Sequence, residues 1–267
     1  MKQDTLFSVA DQVVLLSGAS RGIGQALAKG FAERDAQVII TGREAKTIEQ
    51  TARDISVGAK PVRSIVCDVT DEKSLHATVD QVLAEFGRID TLLNVAGMNK
   101  RMKVENYSAE IYDEIIDTNL RGMFLLSQIV GKHMIARRRG NIISIDSLNT
   151  YAPLKGVTPY AMSKAGVGMM TRGMATEWGE HGVRVNAIAP GFILSDFNKH
   201  IWANPVMQEW GRANTPLVRL GGPGDLVGAA IFLASEASAY MTGQVVFVDG
   251  GISAGLKWPI EEVVRDE

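Results

Sequence analysis

Tyr160 and Lys164 lie four positions apart in the segment Tyr-Ala-Met-Ser-Lys. On a helix, positions i and i+4 share a face, so an ammonium would stand beside a phenol. A free phenol, with a pKa near ~10, is a poor base at neutral pH. A neighbouring cation favours the phenolate and lowers that value. Such a phenol could exchange a proton with an alcohol or carbonyl oxygen. An ordinary exposed helical pair has the same spacing, so the pair needs company. Ser147 supplies it, because a strand-like run over 141–146 ends just before it. A hydroxyl past the C-terminal end of a strand sits where open α/β sheets bind ligands.

A second constellation lies near the start. The apolar run 12–17 leads into Ser17-Gly18-Ala19-Ser20-Arg21-Gly22-Ile23-Gly24 and then into a helical pattern. Glycines at 18, 22 and 24 permit a tight turn and bring backbone N–H groups close to a pyrophosphate. The helix dipole adds to the attraction. After the second apolar run no carboxylate occupies 41–43, where an NAD site would hold the ribose hydroxyls. Arg43 and Arg21 match a 2′-phosphate instead. NADP(H) is therefore favoured over NAD(H).

These groups need a scaffold. Short β-branched runs (12–17, 37–41, 62–66, 90–94, 141–146, 183–188, 244–248) alternate with helical patterns (22–34, 44–56, 72–86, 108–138, 157–180, 199–212, 224–235). The alternation predicts a single-domain Rossmann-type α/β fold over 1–267, a doubly wound parallel sheet with helices on both faces. Helix 108–138 is either continuous or broken near Asn119. With 267 residues, 46% of them hydrophobic, the chain can bury a large core without staples. A net charge of −2 gives no sign of a nucleic-acid or membrane-surface partner. One cysteine, Cys67, and four scattered histidines predict no disulfide and no metal site. No leader or membrane-spanning run is recognisable, and the chain reads as cytoplasmic.

In order, SGASRGIG, Asp68-Val69, Asn94-Val95-Ala96-Gly97, Asn119, Ser147, Tyr160-x-x-x-Lys164, Pro190-Gly191 and Val248-Asp249-Gly250-Gly251 resemble the short-chain dehydrogenase/reductase family from about residue 9 to 251. The resemblance implies hydride transfer between a nicotinamide cofactor and a secondary alcohol or ketone. It makes Tyr160 the general acid/base. Lys164 lowers its pKa and binds the nicotinamide ribose. Ser147 orients the substrate oxygen, and Asn119 breaks its helix and holds a water in a proton relay. Gly18, Ser20, Arg21, Gly22, Ile23 and Gly24 form the pyrophosphate turn, Arg43 faces the 2′-phosphate, and Asp68 with Val69 meets the adenine. Asn94, Ala96 and Gly97 line the cofactor. Ile188, Pro190, Gly191 and Ile193 flank the nicotinamide, and Ser195 stands for the usual threonine at the carboxamide.

Three positions depart from the pattern. Val95 replaces an asparagine, Ser17 replaces a threonine, and Asp146 precedes Ser147 where a small residue is usual. Asp146 either faces away or places a charge near the site.

For the substrate, Arg101 beside Lys100 suggests an anion clamp, with a solvated loop as the alternative. Within the family the pattern resembles gluconate 5-dehydrogenases and related sugar-acid dehydrogenases, where Arg101 would meet a carboxylate. Oxoacyl-carrier-protein reductases share the catalytic motifs and remain the alternative. The segment 192–216, with Phe192, Phe197, Trp202 and Trp210, resembles a substrate lid, and 252–267 forms a C-terminal tail. The methionines at 162, 169, 170 and 174 suit core or subunit contact, and the family implies a homotetramer. A nucleotide sensor without chemistry would not need the whole constellation.

Overall fold

In a computed structural model describing residues 5–57, 60–196 and 198–255, the chain builds one seven-stranded, all-parallel sheet in the order β3-β2-β1-β4-β5-β6-β7. The strands are β1 (Val13–Ser17), β2 (Gln37–Gly42), β3 (Arg63–Val66), β4 (Thr91–Asn94), β5 (Gly140–Ile145), β6 (Val183–Pro190) and β7 (Val245–Val248). Every residue of β1, β4 and β5 is buried, which suits strands covered on both faces. The single Rossmann-type domain agrees with the alternation in the sequence.

Helices α1 (Gly22–Ala32), α2 (Ala45–Ile55), α3 (Glu72–Phe86), α4 (Ala109–Ile116), α5 (Gly122–Arg137), α6 (Thr158–Trp178), α7 (Lys199–Trp202), α8 (Pro205–Ala213) and α9 (Val227–Ala234) complete the layers. In α2, Ile48, Thr51, Ala52 and Ile55 fall on one buried face. Asp71 caps α3 by accepting from the Lys73 N–H, and Gly87 closes it in the left-handed region. Two apolar clusters form the core. One holds Leu16, Phe31, Ile40 and Leu233; the other holds Leu15, Leu92, Val130 and Ile142.

Two predicted helices are interrupted. The 108–138 pattern contains a wide turn at Asp117–Arg121 with i→i+5 bonding, centred on Asn119. The 199–212 pattern splits because Pro205 cannot continue a helix. Asn204 caps the new start by accepting from the Val206 N–H at 2.9 Å. Among the described residues no helix is long and apolar enough to cross a membrane. Phe197 and the tail from 256 onward, including Trp258, lie outside the described residues.

Candidate active site

Strand order reverses between β1 and β4, and a crevice opens there at the C-terminal ends of the strands. Gly18 follows β1 with φ +70°. A Cβ at Gly18 would overlap the Ala96 backbone, and one at Gly24 would overlap the Gly18 carbonyl. Only glycine permits this closeness, so the turn and the loop after β4 form one cradle at the N-terminus of α1. Val95 donates its N–H to the Ser17 carbonyl and hydroxyl, both at 3.2 Å. Serine thus keeps the link that threonine would make.

The cradle opens into a cavity of about 840 Å³ lined by residues from β1, β2, β4, β5, α6 and β6 outward. Gly18, Ser20, Arg21, Gly22, Ile23, Gly24, Arg43, Asp68, Val69, Ala96, Gly97, Pro190, Gly191, Ile193 and Ser195 all line it, as do Arg101, Ser147, Tyr160 and Lys164. Arg21 and Arg43 are exposed and have no acidic partner among the described residues. Asp68 accepts from the Thr70 N–H at 2.9 Å and from its hydroxyl at 2.8 Å, which fixes the carboxylate on the far wall.

Three expected residues do not line the cavity. Asn94 is fully buried and donates to Ser127 Oγ at 2.8 Å and Ser144 Oγ at 3.3 Å. It ties β4 to α5 and β5 below the floor. Ile188 lies in the core between β5 and β7. Asn119 is also fully buried. It accepts from the Met98 N–H at 2.7 Å and donates to the Met98 carbonyl at 2.9 Å and to Ser163 Oγ at 3.1 Å. With both amide protons used, its side chain clamps the loop after β4. A wide turn of this kind within a helix is frequent at functional sites.

At the centre, β5 delivers Ile145, Asp146 and Ser147, and α6 delivers Tyr160 and Lys164. Lys164 Nζ donates to the Ile145 carbonyl at 2.7 Å and stands 5.6 Å from the centroid of the Tyr160 ring. A Cβ on Gly97 would come within 3.9 Å of that ammonium, so the cradle and the cluster meet. Ser147 Oγ accepts from the Asn149 N–H at 3.2 Å and from Asn149 Nδ2 at 3.1 Å. Neither Asn149 nor its contact was marked in the sequence. Its position two residues past a strand-end serine, where polar side chains bond locally, was the available signal.

Burial pushes the Tyr160 phenol up to about 12; Ser147 and Arg101 pull it down, and Asp146 adds to the rise. The sequence predicted a lowering by the adjacent Lys164; the cation that lowers it is Arg101, and the cost of a buried phenolate is larger. Burial lowers Lys164 to about 8 against the pull of Asp146. Asp146 does not face away. Burial lifts its carboxyl from 3.8 to about 7, opposed mainly by Lys164. Arg101 is held below its ordinary value by partial burial, opposed by the phenols of Tyr160 and Tyr107. A phenol protonated at neutral pH, with a serine hydroxyl and an ammonium beside it, can donate a proton to an oxyanion forming in the cavity.

A family model described as enoyl-(acyl carrier protein) reductase matches residues 18–253. The chain is 38% identical over 256 residues to gluconate 5-dehydrogenase of Gluconobacter oxydans, covering 96% of this chain and 100% of that one. It is 35% identical over 247 residues to 5-keto-D-gluconate 5-reductase of Escherichia coli, covering 92% and 97%. A crystal structure of gluconate 5-dehydrogenase from Burkholderia cenocepacia, in complex with NADP and tartrate, superposes with a TM-score of 0.91 at 34% identity, covering 94% and 99%. Sequence relatives and fold neighbours agree with the cavity's chemistry, and the chain belongs to the short-chain dehydrogenase/reductase family as an NAD(P)-dependent oxidoreductase of alcohols and ketones.

Proposed function

We propose that the enzyme interconverts a sugar acid and its keto form, of the gluconate/5-ketogluconate type, with NADP(H) as the preferred cofactor. The observation that carries the substrate class is Arg101. It lines the cavity, has no acidic partner among the described residues, and is close enough to Tyr160 to lower its pKa. A guanidinium so placed matches a substrate carboxylate. The relatives named for gluconate and 5-ketogluconate support the same class, as does the neighbour crystallised with NADP and the dicarboxylate tartrate.

The cradle fits a dinucleotide: glycine at 18 and 24 lets the turn close against Ala96 and on itself, which sets its backbone at the N-terminus of α1 for a pyrophosphate. Gly18, Ser20, Arg21, Gly22, Ile23 and Gly24 would hold the pyrophosphate, and Asp68 and Val69 the adenine end. Ala96, Gly97, Pro190, Gly191, Ile193 and Ser195 would hold the nicotinamide end. The exposed Arg43 and Arg21 support a 2′-phosphate and hence NADP(H). When bound, the nicotinamide ring supplies or accepts the hydride. Tyr160 gives the substrate oxygen its proton in reduction and removes it in oxidation. Ser147 holds that oxygen, and Lys164, anchored on the Ile145 carbonyl, keeps a positive charge beside the phenol. Asn119 braces the loop after β4, and the carbonyls of its wide turn are suited to hold a relay water.

The stretch 192–216 acts as the lid. Phe192 and Trp202 pack with Leu148 at the cavity mouth, and the Phe192 ring also lies 5.3 Å from that of Trp210. A homotetramer fits the exposed Phe124, Met162 and Met169 on α5 and α6. The buried free thiol of Cys67 suits a reducing compartment, and the cytoplasm is the expected location.

A screen at 340 nm tests the reading. Aldonates, uronates and neutral polyols would be offered with NADP⁺ and NAD⁺, with 5-ketogluconate and an acetoacetyl thioester run in reverse. Turnover of an aldonate with NADP⁺ is expected; activity confined to the thioester overturns the substrate class.

A further inference from the structure

Ser147 makes a pair of contacts that constrain the direction of its proton. A hydroxyl has one proton to donate and two lone pairs that accept. Ser147 Oγ accepts twice from one residue, from the backbone N–H of Asn149 and from its Nδ2. With both lone pairs engaged, the hydroxyl proton is left for a third direction. Ser147 and Tyr160 line the same cavity, and the serine is near enough to the phenol to favour its ionised form.

The orientation of the Asn149 amide is fixed by its other end. Asn149 Oδ1 accepts from the Leu154 N–H at 2.8 Å, a bond that an amide nitrogen cannot accept. The Nδ2 group therefore faces Ser147. The side chain is buried, at 8% exposure, and lies in the cavity wall. It joins the serine to the loop that carries Leu154 and Lys155 along the same wall.

We propose that Asn149 is a positioning residue that fills the acceptor capacity of Ser147 and so commits its hydroxyl to donate toward the reacting oxygen of the substrate. A serine free to rotate would spend part of its time accepting, and a carbonyl gaining negative charge needs a donor aimed at it beforehand. The proposal rests on the reading that Ser147 holds the substrate oxygen.

The test compares Asn149→Asp, Asn149→Ala and Ser147→Ala, singly and with Ser147→Ala combined with Asn149→Asp, in the full chain. Asn149→Asp keeps the shape and the bond from Leu154, but turns the donor facing Ser147 into an acceptor that draws the hydroxyl proton away. Rates would be read with NADPH against 5-keto-D-gluconate and against acetoacetyl-N-acetylcysteamine, so the test stands if only the neutral ketone is turned over. NADPH affinity would be read by fluorescence.

Asn149→Asp is expected to lower kcat about 100-fold, the low end for losing one aimed donor, and Asn149→Ala, which only frees the hydroxyl to rotate, by less. NADPH affinity should stay within about twofold, and in the Ser147→Ala background Asn149→Asp should cost no further activity, since residues acting through one another are not additive. An Asn149→Asp enzyme as fast as the parent overturns the proposal. So does an additional loss in the Ser147→Ala background, which would mark a structural role. If Ser147→Ala itself is harmless, the reading of Ser147 fails and the proposal with it; if Ser147→Ala is crippling and Asn149→Asp is not, Asn149 alone is refuted.

Discussion

Asp146 and Lys164 are neighbouring opposite charges in the wall of the cavity, 2% and 3% exposed. Among the described residues neither Asp146 oxygen accepts a hydrogen bond of ordinary length and angle, although the Ser147 backbone and the Thr150 hydroxyl lie near enough to favour ionisation. The carboxylate thus acts on its surroundings mainly through its field. It holds Lys164 charged and makes the Tyr160 phenolate harder to form.

Replacing Asp146 by Asn should therefore shift the pH dependence of alcohol oxidation. Removing the negative charge eases loss of the Tyr160 proton, so the rising limb of kcat/KM against pH should move toward acid by on the order of one unit. A profile that stays in place would show that the field of Asp146 does not reach the phenol.

The same substitution makes a prediction about stability. Asp146 titrates at 3.8 ordinarily and at about 7 when folded. Between those values the folded chain holds a proton that the unfolded chain has released, so this group's contribution falls as pH rises through the window. Above about 7 the loss is complete. The gain in Tm from Asp146→Asn should accordingly be small at pH 5 and larger at pH 8, which a pair of thermal melts would reveal. An equal effect at both values would place the titration elsewhere.

Tyr160→Phe removes only the phenolic oxygen. Turnover should fall by about 10³-fold or more, within the range for lost general acid/base catalysis. NADPH titration should give an affinity close to the parent's. Substantial remaining turnover would take the proton-transfer role from Tyr160.

Arg43→Ala removes the cation proposed to meet the 2′-phosphate. The KM for NADPH should rise roughly tenfold, the effect of one charge-assisted hydrogen bond, while the KM for NADH changes little. Equal increases for both cofactors would show that Arg43 does not read the phosphate.

Arg101→Ala should raise the KM for an aldonate or keto-aldonate by roughly tenfold or more and leave a neutral ketone unaffected. Parallel loss on both kinds of substrate would exclude a carboxylate clamp.

Much of this site was legible because its parts are local in the chain. The glycine turn is a short run between a strand and a helix, and Tyr160 and Lys164 are one helical turn apart. What escaped depends on distant partners. Asn94 reads like its cavity-lining neighbours Ala96 and Gly97, yet its side chain points to Ser127 and Ser144. That the Asn119 amide donates to Met98 and Ser163 was equally hidden. The fate of Asp146 was open because the covering helix α6 brings Lys164 against it, a contact that neighbouring residues cannot disclose. The expected lowering of the Tyr160 pKa failed for a related reason: spacing gives the cation but not the depth of burial.

A short bridge joins Ile193 to Gly221, with the Leu194 N–H on the Gly221 carbonyl at 2.8 Å and the Gly221 N–H on the Phe192 carbonyl at 2.9 Å. This backbone knot closes the intervening stretch at its root, and the Leu217 N–H on the Gly250 carbonyl at 3.1 Å ties its far end to the segment after β7, so insertions or deletions between these two ties leave the strands themselves unchanged. Lengthening a closed loop costs free energy only logarithmically. The architecture thus treats this stretch as an exchangeable cassette. The nucleotide half can stay constant while the wall facing the substrate is rewritten, which gives one scaffold a route to many alcohols.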